Sequence, residues 1–169
     1  MKKLTLLVVA LVATLSLSAQ QREWRTISAS TCIAQSSLSF TNGKQYTPHL
    51  YFGFGSGIDY FVPVNINVND IGTGESMSFR LGGLSIPVFM DGKWRLFDTW
   101  ISPSLRCRAG AMLNVRIPGA GGFVQPELGL DISRYFTLAL GWHGQVLYTM
   151  DYGWTTLSSY PNLSVTIRF

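Results

Sequence analysis

The sequence predicts an all-β chain, an antiparallel up-and-down transmembrane β-barrel of eight strands following a cleaved signal peptide. Three observations predict it. The N-terminus has the zoned layout of an export signal. From about Ser36 onward hydrophobic residues recur with period two, the signature of strands with two unlike faces. In each clear segment one face is apolar and the other holds the charge.

The export signal comes first. Lys2 and Lys3 form a positive zone, Leu4 to Leu15 are nearly all apolar, and Ser16, Leu17, Ser18 and Ala19 bring small residues to a cleavage site. The apolar run is about a dozen residues, short of the roughly 20 that a spanning helix needs. Cleavage is expected after Ala19, with Ser18 as the alternative, which divides the chain into a signal peptide at 1–19 and a barrel domain at 20–169. No Cys follows the cleavage region, which argues against a lipoprotein. The net charge of +4 falls to +2 without Lys2 and Lys3, and no Lys/Arg cluster marks a nucleic-acid partner. Export permits disulfides, but Cys32 and Cys107 lie in distant segments and are expected not to pair.

Eight strands are read in order. The first two, near Trp24–Thr31 and Ser36–Tyr46, have the weakest patterns; the second contains Asn42-Gly43, a turn or bulge signal. Without the first, the barrel would be irregular. The third, His49–Val62, sets Leu50, Phe52, Phe54, Ile58 and Tyr60 against Tyr51, Gly53, Gly55, Gly57 and Asp59. The fourth, Ser85–Leu96, sets Ile86, Val88, Met90 and Trp94 against Asp91, Lys93 and Arg95. The fifth, Ile101–Leu113, sets Leu105, Cys107, Ala109 and Ala111 against Ser104, Arg106, Arg108 and Gly110. In the sixth, Gly122–Ile132, Val124, Pro126, Leu128 and Leu130 oppose Gln125, Glu127, Gly129 and Asp131. The seventh, Tyr135–Met150, puts Phe136, Leu138, Leu140, Trp142, Val146 and Tyr148 opposite Thr137, Ala139, Gly141, His143 and Gln145. The last, Asn162–Phe169, puts Leu163, Val165, Ile167 and Phe169 opposite Asn162, Ser164, Thr166 and Arg168.

A soluble barrel points its apolar face inward; a membrane barrel points it at lipid. The charged faces carry Lys93, Arg95, Arg106, Arg108 and Arg168 against Asp59, Asp91, Glu127 and Asp131. These signs nearly balance, as ion pairs in a narrow interior require, and eight strands leave an interior that side chains fill. Arg108 is expected opposite Glu127, with Asp91 approaching Arg106 or Arg108. From a periplasmic N-terminus, the short connections at Thr47-Pro48, Phe97–Trp100 and Ser133-Arg134 face the periplasm. Pro63–Leu84 and Asp151–Pro161 are then long external loops, and Asn114–Gly121 an intermediate one. Aromatics near strand ends, among them Tyr60, Trp94, Trp100, Tyr135 and Tyr148, suit interfacial girdles.

These segments resemble the small eight-stranded outer-membrane protein β-barrel domain family of Gram-negative bacteria. The resemblance rests on QYTPHLYFGFGSGIDY at Gln45–Tyr60, SIPVFMDGKWRL at Ser85–Leu96, ISPSLRCRAGA at Ile101–Ala111 and GGFVQPELGLDIS at Gly121–Ser133. FTLALGW at Phe136–Trp142 and LSVTIRF at Leu163–Phe169 complete it. It implies an outer-membrane location, surrounding lipid, and assembly by the barrel assembly machinery. Leu163, Val165, Ile167 and Phe169 resemble the signal that machinery reads. It implies no settled activity.

Catalytic chemistry finds little support along the chain. His143 has no serine two residues on, and shares its face with Gln125, Glu127 and Gln145, so a packing role outweighs a catalytic one. His49 has no clear partner. Two His and two Cys are too dispersed for a metal cluster. Gly53, Gly55 and Gly57 precede no helix and so cradle no phosphate. The sequence therefore points to no catalytic, cofactor or metal residues, and to a structural or surface-interaction barrel whose segments 63–84 and 151–161 meet an extracellular partner. Two alternatives stay open: a lipid-modifying outer-membrane enzyme and a soluble lipocalin-like periplasmic carrier.

Overall fold

The computed structural model describes residues 22–32, 35–69, 76–115, 119–149 and 154–169. The signal peptide and its cleavage site, and the Gly72–Gly74 segment, lie outside the described residues. Eight strands follow one another: β1 (Arg22–Thr31), β2 (Gln35–Gln45), β3 (Leu50–Asn69), β4 (Ser76–Arg95), β5 (Ile101–Asn114), β6 (Gly119–Ile132), β7 (Phe136–Thr149) and β8 (Trp154–Arg168). Each pairs antiparallel with its sequence neighbour, and β8 returns to β1, closing the barrel.

The weak first strand is complete. It pairs with β2 along its whole length, Arg22 with Gln45 through Thr31 with Ser36. The closing seam with β8 is shorter, from Thr26–Arg168 to Thr31–Leu163. Asn42-Gly43 is neither turn nor bulge: both residues keep continuous register with β1 and with β3. Gly43 is there for space, because a Cβ on it would sit 2.4 Å from the Phe52 carbonyl oxygen and 2.8 Å from the Tyr51 ring.

The connections at 46–49, 96–100 and 133–135 are short, as expected, and gather at one end, here called the turn end. The last carries Ser133 with φ of 62°, a left-handed residue of a tight turn. The other end differs from expectation. Pro63–Leu84 is not a long loop: Val64–Asn69 pair with Leu81–Ser76, extending β3 and β4 to 20 residues each. The breakers Pro63 and Gly83 mark a register shift between Phe61 and Val64, with Gly83 at φ of 127°. A bulge absorbs a proline and a glycine without ending the ladder. Asp151–Pro161 is likewise mostly strand, since Trp154–Pro161 pair with Thr149–Trp142. Pro161 lies beyond the last β1 partner of β8, Leu163, where an edge position tolerates a missing N–H. Within the expected Asn114–Gly121 loop, β5 runs to Asn114 and β6 already begins at Gly119. The asymmetry between the ends is therefore one of strand length, and the far rim is uneven: tall at β3–β4, low at β1–β2.

The period-two pattern sorts residues by wall. Outward stand Leu128 at 68 % exposure, Leu140 at 66 % and Phe54 at 61 %; inward stand Asp91 at 0 %, Arg108 at 2 % and Glu127 at 3 %. Polarity is thus inverted relative to a water-soluble barrel. Trp94, Phe97, Trp100 and Tyr135 are all exposed and ring the turn end.

Candidate functional site

The lumen concentrates the polar chemistry. Strand parity sends Asp91, Lys93, Arg106, Arg108, Glu127 and Asp131 inward, and all are buried. Arg106 spans the bore. Its Nε and Nη2 donate to both Asp91 carboxylate oxygens, at 2.8 and 2.5 Å. Its Nη1 donates to Thr166 Oγ1 at 2.7 Å and to Ser28 Oγ at 3.2 Å, which ties β5 to the β1–β8 seam. Arg108 Nη2 donates to both Glu127 oxygens at 3.1 Å. Glu127 also accepts from Gln125 Nε2 at 2.7 Å and from Asn162 Nδ2 at 3.2 Å. The two-nitrogen fork of Arg106 on Asp91 is the strong form of charged hydrogen bond, whereas Arg108 shares one nitrogen between both Glu127 oxygens.

The pairing runs diagonally, which the expected register missed. Arg106 stands opposite Glu127 and Arg108 opposite Gln125. Asp91 stands opposite Arg108. Yet Asp91 takes Arg106, and Glu127 takes Arg108. Diagonal neighbours on one sheet face lie within reach of long side chains, and crossing gives each arginine its own acid.

A second cluster lies nearer the turn end. Lys93 Nζ donates to Asp131 Oδ1 at 2.7 Å and to Thr137 Oγ1 at 2.8 Å. Ser104 and Thr137 hydroxyls donate to the same carboxylate oxygen. Arg95 Nε lies 3.5 Å from Asp131 Oδ2, and its guanidinium also reaches Asp98 and the Thr99 carbonyl in the adjoining turn. Arg168 sits with its Cζ 3.6 Å from the Trp24 ring centroid, a cation stacked on an aromatic face. Asp59 is buried toward the other end, its Oδ1 accepts no hydrogen bond, and it joins none of the ion pairs found among the described residues. The void between these groups at the turn end measures about 20 Å³, room for one water.

The far half of the lumen is filled differently. Phe89, Met112 and Phe123 form a buried cluster with Phe61 against it. His143 is sandwiched between Phe123 and Tyr160, with ring centroids 5.3 and 5.2 Å away and planes nearly parallel. Its Nδ1 lies 3.0 Å from Gln125 Oε1 and its Nε2 3.3 Å from Gln145 Oε1. Tyr160, expected in an exposed loop, instead turns in and donates to Gln35 Oε1 across the low β1–β2 rim. The strand faces read from sequence include none of Phe89, Met112 and Phe123. Their parity was the available signal: Phe89 alternates with Asp91 and Lys93, and Phe123 with Gln125 and Glu127.

Leu163, Ile167 and Phe169 stand exposed on the outer wall of β8, with Val165 partly covered among them. Cys32 and Cys107 form no disulfide; Cys107 faces outward, and Cys32 Sγ accepts the Gln35 N–H at 3.1 Å. Among the described residues no group of His, Cys, Asp and Glu is placed to hold a metal.

No protein-family model and no curated protein matches the chain. Among solved structures it is similar to a major outer membrane protein from Thermus thermophilus, at 12 % identity and a TM-score of 0.40, over 88 % of this chain and 100 % of that one. It is also similar to the Outer Membrane Protein W of E. coli, solved by NMR, at 12 % identity and a TM-score of 0.41, over 89 % and 100 %.

Proposed function

We propose that this chain is an integral outer-membrane barrel of a Gram-negative bacterium, with a sealed lumen and a structural or surface-interaction role exercised from its uneven far rim. One observation carries the reading: the inverted polarity of the wall. A solvated barrel with this surface would expose a continuous apolar girdle far beyond the few hundred Å² a soluble monomer usually shows. In hydrocarbon the same girdle is the stable face, and closure pairs the last strand with the first so that the cylinder has no open seam. The filled bore argues against a lipocalin-like carrier, which needs an apolar cavity inside. The stacked and amide-bonded His143 supports packing over lipid-modifying catalysis. The apolar outer stripe of β8, Leu163 to Phe169, is the surface that the barrel assembly machinery would engage. The extended ends of β3–β4 and β7–β8, within 63–84 and 151–161, are where an extracellular partner would dock.

The experiment joins two measurements. Membrane-extracted protein should migrate differently on a gel before and after boiling, as a folded barrel does. In a planar bilayer it should give no steady conductance steps. A band insensitive to heat would overturn the membrane reading; reproducible conductance steps would overturn the sealed lumen.

A further inference from the structure

The outer wall is not uniformly convex. A hollow of about 1540 Å³ indents it across β1–β7. Its floor is made of small residues in register: Gly92 beside Cys107, and Cys107 beside Pro126. Larger side chains stand around it, among them Phe52, Met90, Trp94, Leu128 and Trp142. One edge is different. Glu23, Asn42 and Lys44 line it from the outer faces of β1 and β2, and Lys44 is the direct neighbour of Phe52. Glu23 stands opposite Lys44 in register but turns to Arg25 at 3.0 Å, so Lys44 makes no ion pair among the described residues and the three side chains leave one net positive charge.

The register row also climbs. Lys44 is one residue from the turn-end limit of β2, Gly92 three from that of β4, and Pro126 six from that of β6. The cation therefore sits at the level of the aromatic ring formed by Trp94, Trp100 and Tyr135, while the apolar floor rises toward mid-wall. A cationic edge at the interface leading into an apolar trough matches one kind of amphiphile.

We infer that this hollow binds an anionic phospholipid of the turn-end leaflet, its phosphate on Lys44 and Asn42 and an acyl chain laid over Gly92, Cys107 and Pro126. The inference rests on the membrane-barrel reading above. It also accounts for Gly92, where a Cβ would meet nothing nearer than Phe52 Cδ2 at 3.9 Å and Cys107 O at 4.0 Å. With no side chain at Gly92, the floor stays low beside Cys107 and Pro126.

The test is native mass spectrometry of detergent-extracted protein titrated with dipalmitoyl phosphatidylglycerol or dipalmitoyl phosphatidylcholine. Wild type should retain one phosphatidylglycerol with about fivefold preference, the worth of one lysine near an anionic surface. Lys44→Gln should erase the preference. Gly92→Phe should lose both lipids, and alkylating Cys107 on the folded wild type should do the same without any mutation. Equal retention by wild type and filled hollow would overturn the proposal, as would an unchanged preference in Lys44→Gln. A dimer that Gly92→Phe dissolves would assign the hollow to a second copy instead and equally overturn it. Gel heat-modifiability, run on every sample, separates these failures from failure of the barrel reading, which would leave wild type itself unshifted by boiling.

Discussion

At the residue scale, the lumen sorts charges by what their loss would strand. Glu127 holds Arg108 through both carboxylate oxygens and lies 3.9 Å from Arg106. Glu127→Ala should leave a buried arginine uncompensated and cost about 3–5 kcal/mol. Glu23→Ala, which breaks only the exposed pair with Arg25, should cost no more than about 1 kcal/mol. Urea unfolding in micelles, followed by tryptophan fluorescence, compares the two, and equal losses would mean that the charged face is solvated. Glycine makes a parallel contrast. A Cβ at Gly53 would lie 2.7 Å from the Asn42 carbonyl oxygen and 2.3 Å from Tyr51 Oη, while one at Gly92 would make only ordinary contacts, at 3.9 and 4.0 Å. Gly53→Ala should destabilise by about 1–3 kcal/mol, as overpacking does, and Gly92→Ala should be close to neutral in the same assay. The face of each of these residues was legible from parity alone. The pairs Arg108–Glu127 and Asp91–Arg106 were legible too, but not the register that makes them diagonal. Parity fixes which wall a side chain leaves but not the hairpin register, so Arg108 meets Glu127 from opposite Gln125 rather than directly across the sheet.

At the element scale, existence and order of the strands were legible, and lengths at the far rim were not. Pro63, Gly82-Gly83 and Pro161 read locally as strand breakers. A bulge absorbs Pro63 and Gly83, and a missing neighbour excuses Pro161, and both compensations are set by tertiary pairing that local sequence does not encode. The same fact predicts which part of β3–β4 is dispensable. Beyond the bulge, Val64–Asn69 and Ser76–Leu81 pair only with each other: β4 pairs with β5 no farther than Ser85, and β3 pairs with β2 no farther than Phe61. Isolated two-stranded hairpins are marginal on their own. Replacing 64–81 by a short turn should therefore leave the heat-modifiable barrel intact and its midpoint of unfolding shifted by less than Glu127→Ala shifts it. A partner that docks at this rim should lose binding to the trimmed protein, read by pull-down from intact cells. Collapse of the heat shift would instead show that the extension helps hold the cylinder.

At the scale of the whole molecule, strand order follows chain order all the way round, and the last strand lies against the first. Arg106 fastens that joint from across the bore through Ser28 and Thr166. The Phe169 N–H donates to the Arg25 carbonyl at 3.1 Å, at the turn end where β1 also starts. A cylinder wound this way has no intrinsic beginning: the covalent path could be opened at any hairpin and sealed at the present joint while every pair of neighbours stayed the same. A circular permutant that links β8 to β1 through a short glycine-rich bridge and opens between β3 and β4 should refold in micelles with an unchanged heat shift. In cells it should fail to reach the membrane, because β8 with Leu163, Val165, Ile167 and Phe169 becomes an internal strand. Refolding without delivery would show that the architecture and the address written on it are separable properties of one sequence.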